Sequence, residues 1–128
     1  MRVLLDTHIA LWAAMATPQL PAEAARIIGD TANDVYVSAV SLWEIGIKAG
    51  LGKLPLTATQ ASNIFDLCGY RTLDLNKLHC RTLDGLAMHA NHKDPFDRML
   101  VAQALAEGMI LLTADAKMSA YRPTVRVF

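Results

Sequence analysis

Four acidic residues stand at positions in the chain where their side chains can meet: Asp6, Glu44, Asp97 and Asp115. Asp6 and Asp115 each come shortly after an apolar run of the kind that forms a buried strand. In open parallel sheets, ligands bind outside the carboxyl ends of the strands. Glu44 lies in the predicted helix after the second strand and Asp97 in the helix before the fourth, and these helix starts can face the same edge. The pattern therefore predicts four carboxylates at one edge of a sheet.

Such a cluster of acids has a defined chemistry. Several carboxylates at one edge repel each other, so some must be protonated or a cation must bind. Ligands that are all oxygen atoms select a hard divalent ion such as Mg²⁺ or Mn²⁺. A site of this kind suits hydrolysis of a phosphodiester, because the ion lowers the pKa of bound water and offsets charge in the transition state.

Each of the four acids also has a structural interpretation that the sequence leaves open. Asp6 and Asp115 can each open a turn. Glu44 can close a capping box with Ser41 at the start of a helix. Asp97 can be a first-turn acid that the helix dipole favours. The functional interpretation depends on the four positions taken together.

Apolar runs alternate with helical patterns along the whole chain. Strands are predicted over residues 2–5, 34–38, 70–75, 109–112 and, as an edge strand, 125–128. Helices are predicted over residues 9–14, 21–28, 57–68 and from 38 or 41 to 49, with one or two short helices within 76–90. A further helix is predicted to begin at Pro95, after Asp94 as its N-cap, and to end before Gly108. This order predicts a three-layer α/β/α sandwich with a mainly parallel sheet, in a single domain spanning residues 1–128.

The composition restricts the function classes. The chain has 128 residues, 53% of them apolar, with 12 Lys and Arg against 12 Asp and Glu, so nucleic-acid binding needs a local basic patch. With no long apolar span, we expect a soluble cytoplasmic protein, with no membrane partner and with Cys68 and Cys80 reduced. Trp12 and Trp43 are expected to be core or interface aromatics rather than base-stacking platforms, which are the alternative.

Other kinds of site fit the sequence less well. His89 and His92 lack the second spaced pair that a zinc site needs. Residues 46–52 have the wrong glycine spacing for a phosphate-binding loop. A receiver-type signalling domain is an alternative of similar length, but it requires an adjacent acid pair after the first strand, whereas Asp6 is followed by Thr and His.

Several stretches of the chain, in order and over nearly its whole length, resemble the PIN-domain ribonuclease toxins of type II toxin–antitoxin systems, the VapC group. They are Leu4-Leu-Asp6-Thr-His8, Ser41-Leu-Trp-Glu44-Ile-Gly-Ile-Lys48 with Gly52-Lys-Leu54, His92-Lys-Asp94-Pro-Phe-Asp97-Arg98, and Leu112-Thr-Ala-Asp115. The resemblance implies a PIN-like fold and an endoribonuclease that uses Mg²⁺ or Mn²⁺. It also implies inhibition by a cognate VapB-like antitoxin and a homodimer. Residues 87–92 depart from the pattern of this subgroup, which bears on the fit of the substrate.

The resemblance also assigns roles to individual residues. Asp6, Glu44, Asp97 and Asp115 match the metal-binding, catalytic acids of the family. Asp94 is a secondary candidate, and Thr113 is expected to hold a water or a carboxylate near Asp115. The candidates for contacts with RNA phosphates are Lys48, Lys53, Lys93, Arg98 and Lys117. Arg98 can instead pair with one of the acids, and a non-catalytic RNA-binding PIN-like module is an alternative function.

Overall fold

The computed structural model describes residues 1–89 and 94–128. Within these residues five strands form one sheet in the spatial order β3-β2-β1-β4-β5, and every neighbouring pair is parallel. The strands are β1 Arg2–Leu5, β2 Asp34–Ser38, β3 Arg71–Leu73, β4 Ile110–Thr113 and β5 Val125–Val127. The predicted parallel sheet is confirmed, with β5 at one edge.

Helices cover both faces of the sheet, as parallel connections require. They are α1 Thr7–Ala14, α2 Ala22–Gly29, α3 Ala39–Gly50, α4 Ala58–Leu67, α5 Lys77–Asp84 and α6 Pro95–Glu107, followed by a 3₁₀ helix, Ala116–Tyr121. On one face α1, α2 and α4 pack in the same apolar cluster; on the other, α6 packs with the 3₁₀ helix. The three-layer arrangement is therefore as predicted. Among the described helices, none has the length and apolar character that a membrane span requires.

The central strand β1 explains why its sequence is a continuous apolar run. Val3 and Leu5 point into the cluster with α1, whereas Leu4 points into the cluster with α6. All three side chains are fully buried. Because side chains on both faces of this strand are buried, its residues are all apolar instead of alternating with polar ones. The strand ends at the first polar residue, Asp6.

Helix α6 begins as the sequence predicts. The Asp94 carboxylate accepts hydrogen bonds from the backbone N–H groups of Phe96, at 2.9 Å, and Asp97, at 3.2 Å. Pro95 is the first helical residue. At the other end Gly108 adopts a left-handed conformation, with φ of 67°, which glycine allows without steric cost. These two caps fix α6 so that its N-terminal turn, with Asp97, lies at the candidate site.

One helix start differs from the prediction, and a second agrees with one of its two alternatives. Helix α1 begins at Thr7 rather than residue 9, because the Asp6 carboxylate accepts from the Ile9 backbone N–H at 2.8 Å and caps the helix earlier. Helix α3 has Ser38 as its N-cap, with its hydroxyl accepting from the backbone N–H of residue 40. The capping box of Ser41 and Glu44 is therefore wrong, because both residues lie inside the helix.

The other differences concern short elements. The third strand has three residues rather than the six of the predicted range 70–75. The stretch after it holds one helix, α5, within its described part, which agrees with the predicted one or two helices. The 3₁₀ helix after β4 has no counterpart in the predicted pattern. Its six residues give a repeat too short for helical periodicity to be recognised.

Candidate active site

The carboxyl edge of the sheet carries a cavity of about 170 Å³. Its described lining consists of Asp6, Thr7, His8, Glu44, Lys48, Asp94, Asp97 and Asp115. The four acids singled out from the sequence, and the secondary candidate Asp94, thus line one space. They come from the ends of β1 and β4, from the second turn of α3 and from the N-terminus of α6, which are separated along the chain and brought together by the fold.

Asp6 lies in an environment that disfavours its charge. It is only 5% exposed, directly beyond the end of β1. Burial raises the pKa of its carboxyl, and the charge of Glu44 raises it further. Hydrogen bonds from the Thr113 hydroxyl and the Ile9 backbone, and the nearby His8, oppose this effect without overcoming it. The ionised form of Asp6 is therefore destabilised by its surroundings, and binding of a proton or a cation to the carboxylate relieves this.

Glu44 is equally buried but has a different environment. Its Oε1 accepts from the Thr7 hydroxyl at 2.6 Å, and its Oε2 accepts from the Lys48 ammonium at 2.7 Å. The Thr7 oxygen also lies 3.0 Å from the Ser41 hydroxyl. Because a hydroxyl has one proton and a carboxylate only accepts, Thr7 donates to Glu44 and accepts from Ser41. Both oxygens of Glu44 are thus held in place by contacts between α1 and α3 and along α3.

Thr113, at the end of β4, connects two acids of the site. It is fully buried, and its hydroxyl makes a hydrogen bond with the Asp6 side chain. The same oxygen accepts from the Asp115 backbone N–H at 3.0 Å. With its one proton directed to Asp6, Thr113 fixes the distance between the ends of the neighbouring strands β1 and β4 at the cavity.

Asp97 and Asp115 occupy the more open side of the cavity. Asp115 is exposed and caps the 3₁₀ helix, with its Oδ1 accepting from the Lys117 backbone N–H at 2.9 Å. Asp97 is half-buried in the first turn of α6. Asp94 is the N-cap and Asp97 the first-turn acid that the sequence predicts. Asp6 and Asp115, which the structural interpretation expects to open turns, cap helices instead. All four also line the cavity.

The donor set fits a hard divalent cation by its chemistry. Five carboxylates line the cavity, and the described basic side chains lining it are those of Lys48, already paired with Glu44, and His8. Among the described residues, no three His, Cys, Asp or Glu side chains form a ready-made set of metal ligands. Asp6, Glu44 and Asp115 each accept hydrogen bonds, and together with Asp97 they could supply the oxygen atoms that a hard cation requires.

The basic residues selected from the sequence have unequal positions. Lys48 lines the cavity, and Lys53 and Lys117 are exposed. Arg98 has partners in the structure that differ from the phosphate or acid expected from the sequence. Its guanidinium is buried and donates to the carbonyl oxygens of Ala87 and Leu86, at 2.9 and 3.3 Å, and to a tyrosine hydroxyl, the side chain of residue 121, at 3.3 Å. Lys93 lies outside the described residues.

Sequence reasoning missed Thr7 and His8 as residues of the cavity. The signal was their position directly after the strand-ending Asp6, in the first turn of a helix that Asp6 itself caps. The contact of Thr7 with Glu44 joins residues 37 positions apart, so no local pattern predicts it.

The chain also has recognisable relatives. The sequence model of the PIN domain family matches residues 3–122. Ribonuclease VapC22 of Mycobacterium tuberculosis (strain ATCC 25618 / H37Rv) is 30% identical over 122 residues, which cover 94% of this chain and 92% of that protein. Ribonuclease VapC16 of the same organism is 38% identical over 69 residues, covering 48% and 49% of the two chains.

Solved structures agree with the fold. A chain of the complex of VapBC2 from Rickettsia felis with a promoter DNA fragment superposes with a TM-score of 0.63 at 17% identity, covering 100% of this chain and 98% of that one. A chain of a toxin–antitoxin complex from Klebsiella pneumoniae gives a TM-score of 0.67 at 17% identity, covering 98% and 96%. At these identities the likeness establishes the fold. The family match leaves the receiver-type alternative without support.

Proposed function

The chain belongs to the PIN-domain family, and from that premise we propose that it is the ribonuclease toxin of a VapBC-type toxin–antitoxin system. One observation carries the proposal: five carboxylates from four separate places in the fold line a single cavity at the carboxyl edge of the sheet. Such a cavity repels the phosphates of RNA unless a cation is present, so it is poorly suited to a module that only binds RNA. It is well suited to metal-dependent hydrolysis of a phosphodiester.

The proposed cofactor is Mg²⁺ or Mn²⁺, for which an all-oxygen donor set is appropriate. Asp6 and Asp97 would hold the ion, directly or through water, and Glu44 and Asp115 would complete or orient the shell. When bound, such an ion lowers the pKa of a coordinated water and offsets the negative charge of the transition state. Asp94 is a secondary member of this set, because it already caps α6 with its carboxylate.

The remaining side chains of the cavity position these acids. Thr7 and Lys48 each hold one oxygen of Glu44, which keeps its orientation constant while the substrate changes. Thr113 does the same for Asp6. The Lys48 ammonium has three donors, so two are available to a phosphate oxygen of the bound RNA.

The proposed substrate is RNA, which the chain would hold mainly through its backbone. Lys48, Lys53 and Lys117 are the proposed phosphate contacts, together with Lys93, and such contacts position a strand without reading its sequence. The partner is proposed to be a VapB-like antitoxin, since the structural relatives include toxin–antitoxin complexes. A homodimer and a cytoplasmic location complete the proposal.

The test is cleavage of single-stranded RNA by wild type, Asp97→Asn and Asp66→Asn, with Mg²⁺ and with excess EDTA. Asp66 is an exposed aspartate of α4 and provides the same chemical change away from the cavity. We expect Asp97→Asn to lose about 100-fold or more of the cleavage rate, because it removes a charged ligand, and Asp66→Asn to retain it. Circular dichroism must give the same folded spectrum for all three proteins.

Two results would contradict the proposal. Cleavage by the wild type that persists in EDTA would exclude the metal-dependent reaction. RNA binding without cleavage, in every protein and with either Mg²⁺ or Mn²⁺, would instead identify a non-catalytic RNA-binding module.

A further inference from the structure

A second cavity, of about 330 Å³, adjoins the carboxylate cavity. Its described lining is Asp6, His8, Trp12, Ala114 and Asp115. Three of these residues, Asp6, His8 and Asp115, line the carboxylate cavity as well. A ligand held at the acids therefore has a neighbouring space into which its next group can extend.

One wall of this second cavity is aromatic. His8 and Trp12 are four residues apart on α1, so their side chains lie on the same face of the helix. Their ring centroids are 5.8 Å apart, with an angle of 38° between the ring planes. Trp12 is half-buried and packs against the core, whereas His8 is exposed. The tryptophan ring is thus held in place before any ligand arrives, which lowers the entropic cost of stacking against it.

The charges around the second cavity indicate what kind of group it accepts. Its described lining includes two carboxylates and neither Lys nor Arg. A phosphate group is therefore disfavoured there, while a flat group without net charge is not. In RNA the flat uncharged group is the base, and unstacked bases of single strands bind proteins by stacking on aromatic side chains.

We propose that the wall formed by His8 and Trp12 is a stacking subsite for a base of single-stranded RNA next to the phosphate held at the acids. This inference rests on the proposed function, because it needs RNA at the carboxylate cavity. It gives Trp12 a role beyond the core position expected from the sequence. Since every base has a π-face, the subsite selects single strands over duplexes rather than one sequence.

Tryptophan fluorescence tests the subsite directly. The chain has two tryptophans, and Trp43 is 62% exposed on α3 in contact with Phe96. In the double variant Asp97→Asn/Trp43→Phe, Trp12 is the sole reporter and the RNA is not cut. Titration with a short single-stranded RNA should quench its fluorescence saturably. The matched variant Asp97→Asn/Trp12→Phe, which reports on Trp43, should show no saturable change. An abasic strand with the same backbone should leave Trp12 unquenched.

Steady-state cleavage provides a second readout in the proteins that retain Asp97. Replacing a stacking aromatic by an aliphatic side chain typically weakens binding of a base by about 10-fold. We therefore expect Trp12→Leu to raise KM about 10-fold with kcat within about threefold, and Trp12→Phe to restore most of the loss. His8→Ala removes the exposed ring without disturbing the core. If Trp12→Leu does not fold, the KM of His8→Ala therefore tests the stacking subsite.

The two proposals fail in different ways. If the wild type cleaves RNA with Mg²⁺, but the Trp12 fluorescence stays constant while fluorescence anisotropy of labelled RNA reports binding, the stacking subsite is overturned and the nuclease remains. Unchanged KM in both Trp12→Leu and His8→Ala would overturn it too. If no protein cleaves RNA, the proposed function fails, whatever the fluorescence does.

Discussion

The ion pair between Lys48 and Glu44 gives the most quantitative prediction. The two charged groups are 2.7 Å apart, and the side chains are 34% and 6% exposed respectively. At an effective dielectric constant of about 20, this separation corresponds to a gross attraction of about 6 kcal/mol, most of which desolvation offsets. Removing one partner of a fully buried pair costs about 3–5 kcal/mol, whereas an exposed pair contributes about 0–1 kcal/mol.

Lys48→Met keeps the apolar stem and removes the charge. Of the two partners of Glu44 among the described residues, the Thr7 hydroxyl then remains and the charged one is lost. Because Lys48 is partly exposed, we expect a loss between these limits, about 2 kcal/mol in the free energy of unfolding. The assay is urea denaturation at neutral pH. Adding Glu44→Gln to Lys48→Met should recover part of the loss, because glutamine still accepts from Thr7 and carries no charge.

Arg26 and Glu23 provide a matched control on α2. Their charged groups are 3.7 Å apart and their side chains are 72% and 50% exposed, so Arg26→Met should change stability by no more than about 0.5 kcal/mol. If Lys48→Met destabilises the protein no more than Arg26→Met, or if Glu44→Gln gives no recovery, Glu44 is not a buried carboxylate that depends on Lys48. The description of the site would then be wrong at this residue.

Three further predictions concern stability. The pKa of Asp6 is raised in the folded protein, so the stability that depends on this residue is fully present at pH values below its unfolded pKa and is lost as the pH rises through the folded pKa. Asp6→Asn keeps the cap, so urea denaturation should find it stabilised relative to wild type at pH 7 but not at acid pH. An equal difference at both pH values would contradict this. Gln103 is fully buried and forms hydrogen bonds with the Ser38 hydroxyl, at 2.5 Å, and the His79 ring, at 3.2 Å. Gln103→Leu should therefore lower the free energy of unfolding by about 2 kcal/mol in the same assay. A loss below about 0.5 kcal/mol would mean that these two hydrogen bonds are not formed. Gly108→Ala, at a φ of 67°, should lower stability by about 1 kcal/mol, and an unchanged urea midpoint would mean that the cap is not left-handed.

The sequence predicts the sheet well because its signals there are local. Residues 2–5 and 34–38 are short apolar runs bounded by polar residues, and the strands have these bounds. The signal for the start of α6 is equally local, since Asp94 favours the N-cap position and Pro95 the first helical position, and both residues are found there. The start of α3 is ambiguous, because Ser38 and Ser41 are both suitable N-caps and only packing decides between them.

The acids of the site can be predicted from the sequence because they stand at strand ends and near helix starts, and these positions determine at which edge of the sheet they lie. Thr113 is also found, and Lys48 lies one helical turn from Glu44, but a partner that belongs to a distant element is not found. Thr7, for example, reaches Glu44 across 37 residues. The buried contact between Ser38 and Gln103, across 65 residues, is unpredictable for the same reason. The burial of Arg98 is not predictable from a local pattern either, since its contacts with the carbonyl groups of residues 86 and 87 depend on how that segment packs against α6.

The most direct test of the central claim, that the acids jointly hold a hard cation, is calorimetric titration with Mn²⁺. We expect wild type and Asp66→Asn to bind Mn²⁺ with the same affinity, and Asp97→Asn to bind it about 10-fold more weakly or worse, because one oxygen ligand has lost its charge. Equal affinity of all three proteins for Mn²⁺, or no heat of binding in the wild type, would contradict the claim.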